Sequence, residues 1–112
     1  MRTFYKELLN TGKDYLVLGT PKESLDIMGE TFWKNLHLKA KEKGMKLKMI
    51  LNQSLRDYEN IPSGEDREIR FFEPGFEPET ETNIQDDRVA FIVWTEEPII
   101  FMIEDSHVAA SY

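Results

Sequence analysis

The sequence predicts one α/β domain, a mixed β-sheet flanked by helices. Two stretches, 4–9 and 32–40, carry apolar residues at helical spacing. Short apolar runs bounded by Gly, Pro and Asn, such as 15–19 and 99–103, have strand length and strand composition. A chain of 112 residues with 40% hydrophobic and 31% charged residues has the size and mixture of one globular core, so 1–112 is read as a single domain.

Phe4, Tyr5, Leu8 and Leu9 line one side of a first helix that stops at Asn10 and Gly12. Tyr15 to Gly19 is an unbroken apolar run, which predicts a strand covered on both faces. Thr20-Pro21-Lys22-Glu23 predicts a helix start, with Thr20 as cap, Pro21 in the first turn and Glu23 closing a capping box. Phe32, Trp33, Leu36 and Ala40 give that helix its apolar stripe, and Gly44 ends it. Met45, Leu47 and Met49 then alternate with Lys46 and Lys48 ahead of Ile50 and Leu51, the pattern of a strand with one wet face.

The second half changes character. Asn60 to Asp66 reads as a loop, Glu68 to Phe72 as a strand, and Glu73 to Pro78 as irregular chain. Arg88 to Trp94 and Ile99 to Ile103 flank Thr95-Glu96-Glu97-Pro98, which predicts a hairpin. Asp105 or Ser106 caps a last helix carrying Val108, Ala109 and Tyr112.

Charge and composition remove several function classes. The net charge is −7, unevenly placed: residues 1–60 hold eleven Lys/Arg against eight Asp/Glu, and residues 61–112 hold three against thirteen. Such a surface repels phosphate backbones, and Lys39, Lys41, Lys43, Lys46 and Lys48 read as a solvated face rather than a nucleic-acid patch. There is no cysteine, hence no disulfide and no thiolate metal site. No apolar run reaches bilayer length and no signal stretch is present, which predicts a cytoplasmic location and no membrane partner. No glycine-rich phosphate loop, paired-histidine zinc helix or nucleophile elbow occurs, so no cofactor is expected. The two histidines read as structural: His37 partly buried one turn after Trp33, His107 exposed just inside the last helix.

The order of strand, capped helix, helix with the Phe32-Trp33 pair and Lys-rich strand, followed by 86–92 (DDRVAFI) and 98–104 (PIIFMIE), resembles the phospholipase D-like domain of archaeal TrmB-type transcription regulators. The resemblance covers nearly the whole chain. It implies a phospholipase D-like half-domain that senses an effector behind a winged helix-turn-helix, with this chain a fragment lacking that DNA-binding part and the end of its last helix. The related enzymes use a His-x-Lys-x4-Asp motif. With Asp86 in the aspartate position, histidine and lysine fall on Glu79 and Glu81; with Asp87, on Thr80 and Thr82. Neither pair supplies an imidazole nucleophile, and two carboxylates repel a phosphodiester. His37-Leu38-Lys39 imitates the motif, but Gly44 stands where the aspartate belongs.

The expectation is therefore a non-catalytic, effector-sensing and dimerising domain. The resemblance implies a sugar-like small molecule as effector, a homodimer as assembly, and DNA contact only through a domain absent from this chain. Thr20, Glu79, Glu81 and Asp86, near strand ends, are the candidate ligand-binding residues. Two alternatives stand beside it. One is a divergent phosphodiesterase or nuclease whose Glu79, Glu81 and Asp86 hold a divalent metal. The other is a dimerisation module without a ligand. Phe71, Phe72 and Phe76 are the aromatic residues expected at the dimer contact.

Overall fold

The computed structural model describes residues 1–58, 61–62, 64–75 and 78–110. Asn60, Phe76 and Tyr112, each used above, lie outside them. Helix α1 spans Arg2–Thr11 and is followed by strand β1, Tyr15–Thr20. Helices α2, Glu23–Met28, and α3, Glu30–Glu42, lead to β2, Leu47–Leu51. A single 3₁₀ turn, Gln53–Leu55, precedes β3, Arg67–Phe71. Strands β4, Thr80–Gln85, β5, Arg88–Val93, and β6, Ile99–Glu104, form a meander, and α4, Ser106–Ala110, follows.

The six strands make one mixed sheet in the order β3-β2-β1-β4-β5-β6. β1, β2 and β3 are parallel, whereas β4 runs antiparallel to β1 and continues antiparallel into β5 and β6. Parallel β1 and β2 need a crossover, and α2 and α3 provide it. The main core lies between one sheet face and the helices: Tyr5 and Leu8 of α1 and Leu36 and Ala40 of α3 meet Tyr15, Val17, Leu47, Met49 and Leu51. The mixed sheet with flanking helices is the architecture the sequence predicts.

Four details differ from the expectation. Thr20 ends β1 rather than capping a helix: α2 begins at Glu23 without a side-chain cap, and the Ser24 hydroxyl instead donates to the Pro21 carbonyl at 2.8 Å. The helix predicted up to Gly44 is two helices, broken at Gly29 with φ 86° and ψ 150°, a conformation open to glycine and not to a helix. β1 is not covered on both faces; Tyr15 and Val17 are buried beneath the helices, while Leu16 and Leu18 turn to the other face and are only half-buried. And β4 was not expected as a strand at all, because Glu81, Asn83 and Gln85 are polar; these three are its buried side.

Between Leu18 and Thr20 the β1–β2 register shifts by one residue, with Gly19 at the bulge. Its φ is 77°, and a side chain there would meet the Pro78 ring at 3.0 Å and the Thr80 carbonyl at 3.3 Å. Gly19 thus lets β1 end close against the entry to β4. Gly19→Ala is expected to lower the unfolding free energy by about 2 kcal/mol, from the left-handed backbone and the crowded contact together, as read by urea denaturation.

Candidate functional site

The strand order reverses where β1 meets β4, and in open sheets such a point leaves a crevice beside the strand ends. Here the end of β1 brings Thr20 beside the start of β4, because Leu18 pairs with Thr82. Glu81 follows on the helix-facing side and is 2% exposed. Beneath it lies a cavity of about 60 Å³ between the sheet, α2, α3 and the segment after β2. Tyr5, Tyr15, Trp33, Tyr58, Leu36 and Met49 supply much of its wall.

The Glu81 carboxylate is held from two sides. Asn83 Nδ2 donates to its Oε2 at 2.7 Å, and the Tyr5 hydroxyl donates to the same oxygen at 3.2 Å. Thr20 and Trp94 also lean toward this carboxyl, yet neither Thr20 Oγ1 nor Trp94 Nε1 meets a partner at hydrogen-bond geometry. Among the described residues no Lys or Arg lines the cavity. Burial accordingly pushes the Glu81 carboxyl above the usual carboxylate range, against the pull of its donors. Burial, then the nearby Glu81 charge, raises the Tyr5 phenol well above its ordinary value.

Three further polar atoms turn into the same region without a partner: the hydroxyls of Tyr15 and Tyr58, and Nδ1 of His37. Burial, with the Arg67 charge nearby, lowers His37 to about 4, so its ring is neutral near pH 7. Folded proteins rarely leave such groups unsatisfied, since each costs about 1–3 kcal/mol. Four of them around one cavity, Thr20 included, form a built polar interior rather than a packing defect.

The four residues singled out from the sequence part company. Thr20 and Glu81 share the cavity. Glu79 is exposed in the bend before β4 and lines a separate outer groove of about 520 Å³ with Pro21, Asn52 and Trp94. Asp86 occupies the two-residue turn between β4 and β5, where Gln85 pairs with Arg88. Its φ of 57° suits an aspartate in a tight turn, and its carboxylate pairs with Lys13 at 2.7 Å in solvent. Five residues along a strand, about 17 Å, separate it from Glu81. Glu79, Glu81 and Asp86 therefore do not converge on one ion, and no group of His, Cys, Asp or Glu suited to a metal occurs among the described residues. Residue types alone did not reveal Tyr5, Tyr15, His37, Tyr58 and Asn83. The one signal for them was the alternation of Thr80, Thr82 and Ile84 with Glu81, Asn83 and Gln85, a strand with its polar side inward.

No protein-family model matches the chain, and no curated protein matches it. Among solved structures it is similar to TrmBL2, an archaeal chromatin protein with a novel mode of DNA binding, at a TM-score of 0.65 and 17% identity. The match covers 98% of this chain and 44% of that one, so this chain spans less than half of the neighbour's length. At that identity the likeness is one of fold. Among the described residues no helix is long and apolar enough to cross a membrane.

The raised Glu81 carboxyl sets the sign of a pH effect. A carboxyl that holds its proton more tightly in the folded state destabilises the fold as pH rises from the unfolded value through the folded one. Glu81→Gln keeps the shape and cannot ionise. Its stability relative to the native protein is expected to increase from pH 5 to pH 8, measured by urea unfolding across that range.

Proposed function

We propose that this chain is the effector-sensing module of a DNA-linked regulator, and that it is non-catalytic. One observation carries the reading: unpartnered buried polar atoms of Tyr15, Thr20, His37 and Tyr58 surround a cavity beside the buried Glu81. A fold that only had to be stable would fill that space with apolar side chains, and sites kept at a cost to stability are characteristically functional. The fold shared with TrmBL2, a DNA-binding protein, supports placing the module in a regulator. DNA contact belongs to another part of such a regulator, since the second half of this chain is strongly acidic. Among the described residues no nucleophile, base and orienting group stand together at the cavity, and where the related phosphodiesterases need histidine and lysine this sequence has Glu79 and Glu81 with Asp86 as the motif aspartate, or Thr80 and Thr82 with Asp87.

The path of the signal follows from what holds α1. Tyr5 ties that helix to Glu81, Gln85 Nε2 donates to the Leu8 carbonyl at 3.0 Å and the Lys13 carbonyl at 2.9 Å, and Arg88 pairs with Glu7. A molecule that competes for the Glu81 carboxylate takes away the Tyr5 partner and shifts the balance between docked and released α1. Amide chemical-shift mapping against cationic, neutral and anionic metabolites tests this. The expected result is a perturbed patch at Tyr5, Tyr15, Thr20 and Glu81; perturbation confined to the exposed lysines would remove the reading.

The module also pairs with a second copy, in this proposal through β6. The two sheet edges differ: β3 carries Arg67, Glu68 and Arg70, whereas Ile99 to Ile103 in β6 hold no charge, and Phe101 is 60% exposed. Edge strands that remain single are normally guarded by charge, so the bare edge is the one suited to a partner. Phe71 is the weaker candidate, being half-buried under the Arg56 guanidinium at 5.1 Å. Two β6 strands running antiparallel about Phe101 would join the sheets across a two-fold axis. Sedimentation equilibrium is expected to show a dimer that Phe101→Lys converts to a folded monomer; a dimer unaffected by that change places the contact elsewhere.

A further inference from the structure

The chemistry of the cavity narrows what can occupy it, given the small-molecule reading above, on which this inference rests. Among the described residues Glu81 is the one acidic side chain in its wall and no basic one faces it as a cation, because His37 is neutral near pH 7. An anionic ligand would face that carboxylate with no cation to offset it. The unpartnered hydroxyls of Tyr15, Thr20 and Tyr58 and the neutral imidazole of His37 can all accept hydrogen bonds, so the interior suits a guest rich in donors. The rings of Tyr5 and Trp33 stand edge to face, 5.1 Å between centroids, and Trp33 Nε1 is fixed by the Ser24 carbonyl at 2.9 Å. Aromatic faces beside one carboxylate are the general recognition chemistry for an organic cation. Size restricts it further: about 60 Å³ holds roughly four or five water-sized groups, too few for a whole sugar ring.

We infer that the cavity binds a small organic ammonium group, its charge against Glu81 and its alkyl stem against Tyr5 and Trp33. The ammonium protons reach the carboxylate and the hydroxyls of Tyr15 and Thr20, which gives each of those orphaned atoms a partner. Loading the site also supplies the positive charge that the fold does not provide. A neutral polyol satisfies the hydroxyls and leaves Glu81 uncompensated.

The test is thermal unfolding of the whole chain at constant ionic strength with methylammonium chloride, 1,4-diaminobutane, glycerol, sodium acetate or potassium chloride. The amines are expected to raise Tm by about 4 °C or more at saturating concentration, and the other additives not to. In Glu81→Gln the amine shift should vanish. As a second readout that does not depend on this variant, the Glu81 side-chain carboxyl carbon should move toward its ionised chemical shift when methylammonium is added. Stabilisation by glycerol but not by amines would overturn the ammonium assignment and leave the sensing module standing. An amine shift that persists in Glu81→Gln would overturn it too, and no response to any additive would remove both.

Discussion

A carboxyl group buried in the middle of a sheet, with no cation beside it among the described residues, is the constraint around which this protein is organised. Removing such a group from water is expensive, and the expense is met with directed donors or not at all. Here the donors are Asn83 on the same strand and Tyr5 on α1. The pair of hydrogen bonds explains why α1 sits where it does. The helix is not merely laid on an apolar stripe; Glu81 and Gln85 of β4 hold it at two levels through Tyr5 and the Leu8 carbonyl. The cavity follows from the same arrangement, since side chains that must reach Glu81 cannot also fill the space beneath it.

β4 is the joint of the molecule. On one side of it lie three parallel strands, β1 and β2 linked by a helical crossover; on the other, two further strands, β5 and β6, turn back antiparallel on short loops. A parallel sheet buried under helices normally demands apolar residues on its inward face, and β1 and β2 comply with Tyr15, Val17, Leu47 and Met49. β4 meets that face with Glu81, Asn83 and Gln85 instead. Each finds a partner: Asn83 the carboxylate, Gln85 two carbonyls, Glu81 two donors. A row satisfied in this way behaves as part of the core and still leaves polar groups turned toward the cavity. Gly19 completes the joint by allowing β1 to finish against Pro78 without a side chain between them.

The outer surfaces divide the labour differently. Lys39, Lys41, Lys43, Lys46 and Lys48 are all exposed, and Lys48 and Arg70 share Glu68 on the outside of β2 and β3. Such pairs are loosely held and contribute little to stability. They keep the β3 edge and its face wet. The β6 edge carries a charge only at its end, where Glu104 pairs with Arg88, so the sheet is charged along one edge and largely apolar along the other. Glu81 in the cavity and Phe101 at this edge mark two separate places where the chain departs from what stability alone would select.

The sequence by itself determined the fold class and most of the elements. Apolar residues at helical spacing placed α1 and α3, alternating Met45 to Met49 placed β2, and the Pro98-bounded runs placed the β5–β6 hairpin, because these patterns report local burial that neighbours only confirm. Thr20 and Glu81 were legible as polar residues near strand ends. The remainder lay beyond local pattern. Alternation along 80–85 does not by itself say that the polar side faces inward; only α1, arriving from seventy-six residues away to bring Tyr5 to Glu81, makes that inner face inhabitable. The break at Gly29 was concealed by helical periodicity on either side of it. Asp86 looked like a ligand until the turn needed an aspartate with positive φ. The separation of Glu79 from Glu81 was likewise tertiary: alternation alone would put both on one face, but β4 begins at Thr80 and leaves Glu79 in the exposed bend before it.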